Sequence, residues 1–136
     1  MTLVELMIVV SIIGILAFII APKYGQIIQK SKEGSTKGNL GTIRSALSIY
    51  YGSLEGRYPL TLGSMTTNSK FLSSIPVVKV PSYHADSWVE IDDSPSAAMT
   101  DGGGWAYDNN SSDQNFGSVW VNCTHTDTKG TIWSSY

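Results

Sequence analysis

The sequence is short of charge. Only 15% of its 136 residues are Asp, Glu, Lys or Arg, against about 25% in a typical soluble domain. Cysteine is nearly absent: Cys123 stands alone, which excludes a disulfide scaffold. There is no basic excess, since the net charge is −2, so nothing drives nucleic-acid binding by counterion release. Catalytic signatures are missing too. The chain shows no nucleophile elbow, no P-loop, no dinucleotide fingerprint and no zinc-ligand spacing. Yet its mean hydropathy is close to zero. A strongly apolar part must therefore be balanced by a part that is polar but uncharged.

The apolar part is at the start. Leu6 through Pro22 is a run of 17 residues without a charge, or roughly 26 Å of helix at about 1.5 Å per residue. Including Met1 to Val4 brings it to the length of a membrane span, about 20 residues, but encloses Glu5. A secretory signal would carry basic residues before the apolar run and a small-residue cleavage site after it; neither is seen. A buried core helix would need more chain than remains to cover every face. An ordinary membrane anchor leaves Glu5 unexplained, because a carboxylate in hydrocarbon is costly unless paired.

Met1-Thr-Leu-Val-Glu5-Leu-Met-Ile-Val-Val-Ser-Ile-Ile-Gly14-Ile-Leu-Ala17, followed by Pro22 and Tyr24, resembles the start of a mature type IV pilin or a type II secretion pseudopilin. Thr2, Glu5, Gly14 and Pro22 fall in the family's register. Met1 departs from the phenylalanine usual at the first position. The resemblance implies an N-methylated Met1, a prepilin peptidase that removes a leader, an assembly ATPase and a platform protein. It implies an inner-membrane subunit that leaves the bilayer to polymerise with itself, as a helical homopolymer on the bacterial surface. It also implies that Glu5 meets the N-terminal amine of a neighbouring subunit in the filament core. Such a pair would select one axial stagger, as a buried polar residue does in a coiled coil. A partly wet Glu at the membrane edge is the alternative. Leu3, Leu6, Val9, Val10, Ile13 and Leu16 would pack that core. Gly14 weakens helix and Pro22 removes a backbone hydrogen bond, so local loss of helix is expected between them in the assembled state. A simple proline kink is the alternative.

Beyond Pro22 the pattern becomes amphipathic. Leu40, Ile43, Leu47, Tyr50 and Leu54 recur at helical spacing and form one stripe. Lys30, Lys32, Glu33, Lys37 and Arg44 read as its solvated positions. Gly25, Gly34, Gly38 and Gly41 weaken the helix and allow either close subunit packing or flexibility. Arg57-Tyr58-Pro59 marks the helix exit. Leu60 to Leu72 reads as loop with one short helical turn, and the proline-bracketed segment 75–81 as loop or edge. Strand candidates are 87–91, 104–107 and 118–122, the last two joined as a hairpin. Trp105 and Trp120 are expected to pack the sheet on the stripe. The run Gly104-Trp-Ala-Tyr-Asp108 with Gly117-Ser-Val-Trp-Val-Asn122 looks like the sheet of many pilin-like proteins. The expected fold is α+β: a long N-terminal helix with an antiparallel sheet packed on its C-terminal half. Its parts would be 1–24 (membrane or filament core), 25–55 (amphipathic helix) and 56–136 (globular head). Residues 1–50 carry five basic and two acidic groups, and residues 51–136 carry four and nine. The first half is thus basic and the second acidic.

The remaining polar candidates are sparse. His84 and His125 read as isolated surface residues, and Cys123 as a buried strand-end residue or an intermolecular bridge. No metal or other cofactor is expected; calcium at Asp108–Asp113 is the alternative, though that loop lacks the glycine and glutamate of a calcium loop. Asn110 and Asn122 each begin an N-x-[ST] triplet and are candidate glycosylation positions. The four tryptophans read as core or subunit contacts rather than a path for electrons. The reading is a non-enzymatic major pilin, its fibre serving adhesion, motility or DNA uptake. The alternatives are a pseudopilin forming a periplasmic piston, or a membrane-anchored binding module that never polymerises.

Overall fold

Thr2 and Glu5 start the first element. The Thr2 N–H and hydroxyl both donate to Glu5 Oε2, at 2.6 and 3.0 Å, and the Glu5 N–H donates to Thr2 Oγ1 at 3.3 Å. This reciprocal capping box opens helix α1, Leu3–Ser53. The computed structural model describes residues 2–92 and 99–136, and the side chain of Asp92 is outside that description. Met1 lies outside the described residues. The helix is unbroken through Gly14 and Pro22 in the single chain. It ends at Ser53, before the Pro59 signal. Glu55 and Gly56 turn left-handed, with φ of 53° and 81°, and the Gly56 N–H donates back to Tyr51 O at 3.0 Å. Leu54 thus falls past the helix end and is 39% exposed; it does not join the stripe as expected.

The chain forms two compact units, Met1–Ser31 and Lys32–Tyr136. In the second, α1 supplies Leu40, Ile43, Ala46 and Leu47 to the core. Three short strands follow: β1 (Glu90–Asp92), β2 (Trp105–Tyr107) and β3 (Val119–Val121), in the order β1-β2-β3. The β2–β3 pair is the expected antiparallel hairpin, with Trp105 opposite Val121. β1 runs parallel to β2, with Glu90 opposite Trp105, so the sheet is mixed rather than wholly antiparallel. Gly104 makes that pairing possible. It has φ of 81°, and a Cβ there would run into the Val89 carbonyl oxygen, which accepts from the Trp105 N–H at 2.9 Å. The approach of β2 to the end of β1 is too close for any side chain.

The central strand β2 is buried on both faces, whereas in β3 Val119 and Val121 are buried and Trp120 is half-buried on the opposite face. Trp105 is fully buried and its Nε1 donates to Pro76 O at 2.7 Å; the Tyr107 hydroxyl donates to Pro59 O at 2.7 Å. The core is completed by Leu62 and Met65 from a 3-10 segment (Leu62–Ser69), by Val78 and Val80, and by Trp133. Segment 75–81 is thus a core-lining stretch. Val78 bridges Ser87, and the Thr36 hydroxyl donates to Lys79 O and accepts from Lys79 N at 2.8 and 2.7 Å. Tyr50 is half-buried against Phe71.

Of the helix residues expected to be solvated, Glu33 is buried and Lys37 is half-buried. Glu33 is 5% exposed and accepts from the Thr128 N–H and hydroxyl. Lys37 bonds Asp127, whose side chain is fully buried. Asp127 also accepts from Tyr136 OH, Lys129 N and Thr131 N. These bonds fasten the C-terminal segment to α1, the task a disulfide would otherwise do. Burial alone would raise the Asp127 pKa, but the donors Lys37, Tyr136, Thr131 and Lys129 hold it far below the usual carboxylate range. The folded pKa is depressed, so the unfolded chain takes up the proton first as pH falls. The stabilisation is complete above about pH 5 and is lost as the pH drops below about 4. Thermal unfolding of the detergent-solubilised chain should therefore show a melting temperature falling between pH 5 and 3. Asp127→Asn should lower it at pH 7 and flatten that fall; an equally steep fall in the variant contradicts this role.

Candidate assembly surface and head sites

From Thr2 to Ile28 every residue is exposed. Fourteen large apolar side chains between Leu3 and Ile20 are each at least half exposed, from Val9 at 51% to Phe18 at 83%. They include all six expected core-packing residues: Leu3, Leu6, Val9, Val10, Ile13 and Leu16. Only Glu5, Ser11, Gly14 and Ala17 interrupt them, so they cover every side of the helix, and no single stripe faces a partner. This is the one helix, among the described residues, long and apolar enough to cross a membrane. Its only charged member up to Pro22 is Glu5, one turn from the start, where the carboxylate closes the capping box with Thr2.

The capping box is a second role for Glu5, beside the expected pairing in assembly. Its signal was in the sequence as Thr-x-x-Glu before an apolar run. Glu5 therefore has an intramolecular bond in the single chain as well as the charge an assembly partner would use. Gly14, Gly25, Gly34, Gly38 and Gly41 have open space where a Cβ would stand, so packing within the chain does not demand them.

In the head, the sequence candidates separate. Leu40, Ile43, Leu47 and Trp105 lie in one core cluster, while Tyr50 and Trp120 are partly exposed and Trp88 is 62% exposed. Trp133 is also in the core cluster. Asn122, a candidate glycosylation position, is fully buried, its amide donating to Thr100 Oγ1 and Gly103 O. Asn110 is exposed. In the 108–115 loop, Asp108 Oδ1, Asn110 Oδ1 and Asp113 Oδ1 each accept the backbone N–H two residues on. These oxygens shape the turns of the hairpin connection.

The histidines are not isolated. His84 and His125 lie 5.3 Å apart by ring centroid, edge to face, and both face Asp101. Cys123 is fully buried beside them, and burial pushes its thiol pKa up to about 11. The sequence separations, 84 to 101 to 123, hid this grouping. Only Cys123-Thr-His125 is local.

Comparison with known proteins yields one informative similarity. Fimbrial protein EcpC of Eikenella corrodens is 36% identical over 80 residues, which cover 56% of this chain and 52% of that protein. The chain thus spans about half the length of this curated relative. No known family profile matches the chain, and no solved structure does.

Proposed function

We propose that this chain is a non-enzymatic structural subunit, a major type IV pilin, that polymerises through its N-terminal helix into a surface fibre. The observation carrying this reading is the all-round exposure of the fourteen apolar side chains from Leu3 to Ile20. Burying one such side chain is worth about 1.5–3 kcal/mol, so leaving them in water costs on the order of 20 kcal/mol. That exceeds the whole stability of an ordinary domain, about 5–15 kcal/mol. The segment therefore has to lie in lipid or against other copies of itself, and a pilin uses both in turn. The similarity to a fimbrial protein supports the same reading.

In this account the subunit first waits in the inner membrane. A prepilin peptidase processes it and Met1 is N-methylated; an assembly ATPase and a platform protein then drive its extraction. In the fibre, Leu3, Leu6, Val9, Val10, Ile13 and Leu16 pack against neighbouring helices, and Glu5 pairs with a neighbour's N-terminal amine. The interval from Gly14 to Pro22 loses helix on assembly, because the helix is weakest there. The acidic, polar head faces outward, where adhesion, motility or DNA uptake would act and where Asn110 is open to modification.

Electron microscopy of material sheared from cells, with the chain identified in the fibres by mass spectrometry, tests this reading. Long fibres built of this chain are expected. The chain confined to short periplasmic assemblies would instead make it a pseudopilin. A chain that stays in the membrane without any fibre overturns the proposal.

A further inference from the structure

Four potential metal ligands converge in the head, and the filament reading has no use for them. His84 follows the turn after Val80, Asp101 precedes the glycine run that leads into β2, and Cys123 and His125 leave β3. One ligand atom from each lies within 4.8 Å of the others. His84 Nε2 is 3.3 Å from Asp101 Oδ1, His125 Nδ1 is 3.4 Å from the same oxygen, and Cys123 Sγ is 3.5 Å from His125 Nδ1.

These spacings carry information. A tetrahedral zinc ion takes nitrogen and oxygen at about 2.0–2.2 Å and sulfur at about 2.3 Å, so the edges of its ligand tetrahedron are about 3.3–3.8 Å. Three edges are already that long. The widest separation needs to close by about 1 Å, within reach of side-chain rotation. A purely hydrogen-bonded cluster explains the arrangement less well. Among the described residues, the buried His84 Nε2 has no hydrogen-bond partner, although Asp101 Oδ1 lies 3.3 Å away.

The surroundings support a ligand set held in place. The Thr124 N–H donates to Asp101 Oδ1 at 2.7 Å, orienting the carboxylate as outer-shell donors do at metal sites. Tyr83 stacks on the His125 ring at 4.0 Å with an 18° tilt. Asp101 adopts φ of 54° and Gly103 φ of 76°. A Cβ on Gly103 would come within 3.0 Å of His84 Cβ, so this backbone passes close to the ring's root.

We propose that His84, Asp101, Cys123 and His125 form a structural zinc site that ties the turn after Val80, the approach to β2 and the exit of β3 together. A thiol, two imidazoles and one carboxylate converging near tetrahedral spacing suit zinc, whereas calcium and magnesium prefer all-oxygen sets. All four positions are filled by protein, which marks a structural rather than a catalytic centre. The site would do for these loops what a disulfide cannot do in a chain with one cysteine. The inference is independent of whether the chain polymerises.

The test uses the full chain purified in detergent, stripped of metal and titrated with zinc chloride, then with cobalt chloride as a spectroscopic probe. One zinc per chain is expected, with a melting temperature raised by about 5 °C or more at saturating zinc. The cobalt form should show intense tetrahedral bands and a thiolate charge-transfer band. His125→Ala, at the most exposed ligand, should keep the fold by circular dichroism and weaken zinc binding at least tenfold. Cys123→Ser should remove the charge-transfer band. No stoichiometric zinc in the wild-type chain overturns the proposal, as does a cobalt spectrum without a thiolate band. Either result can be read without a variant, so misfolding of a variant does not blunt the test.

Discussion

Glu5→Ala is expected to abolish fibres while the chain still accumulates in the membrane. Removing the carboxylate makes insertion easier, because a charge within the bilayer costs about 2.5–3.5 kcal/mol. It makes assembly harder, because the neighbour's N-terminal amine is left in an apolar core without a partner. Breaking such a pair costs about 3–5 kcal/mol, at least a hundredfold in each subunit's association constant when every 1.4 kcal/mol is tenfold. Repeated along a filament, that loss is decisive. The capping box complicates the reading of alanine alone, since Glu5 also closes the first turn with Thr2. Glu5→Gln separates the two roles. Glutamine serves a capping box as glutamate does but carries no charge. If the charge sets the register, Gln fails as Ala does. Fibres from Glu5→Gln with none from Glu5→Ala would assign Glu5 to capping alone. Normal fibres from both would remove it from assembly. Fibre yield by microscopy, against membrane content by immunoblot, is the measurement.

Trp105→Ala is expected to cost the head most of its stability. Trp105 is fully buried at the centre of the sheet, and deleting a buried tryptophan costs about 3–5 kcal/mol. Its Nε1 bond to Pro76 O is lost as well, stranding an acceptor at a further cost of about 1–3 kcal/mol. Against a total of about 5–15 kcal/mol, the variant should be largely unfolded near physiological temperature. Its near-ultraviolet circular dichroism should collapse while the signal of α1 partly persists. Trp88→Ala is the matched control: Trp88 is 62% exposed, and its loss should stay within about 0.5 kcal/mol. Similar melting temperatures for the two variants would contradict the core placement.

What the sequence made legible follows from which forces act locally. The helix, its apolar half and the stripe at Leu40, Ile43 and Leu47 were plain, because periodicity and run length are local signals. The β2–β3 hairpin was plain for the same reason. The parallel pairing of β1 was not: it depends on Gly104 admitting the Val89 carbonyl, a contact between segments that no pattern along the chain announces. Glu33 and Lys37 looked solvated because charges usually are. Their partners, Thr128 and Asp127, lie 95 and 90 residues away. Trp120 is only half-buried because alternation in a three-residue strand puts its middle residue on the face opposite Val119 and Val121. The His84–Asp101–Cys123–His125 group was invisible for the same long-range reason. The capping box is legible as Thr2-x-x-Glu5 before an apolar run, a local signal.

The central claim is that the exposed apolar helix is the polymerisation surface, with Glu5 setting its register. Helical reconstruction of fibres sheared from cells tests it most directly. The account predicts a core of bundled N-terminal segments, with Leu3 to Leu16 between neighbouring copies, Glu5 within ion-pair distance of an adjacent N-terminal amine, and extended backbone between Gly14 and Pro22. Fibres joined through their heads alone, with residues 1–24 outside the core, would contradict it.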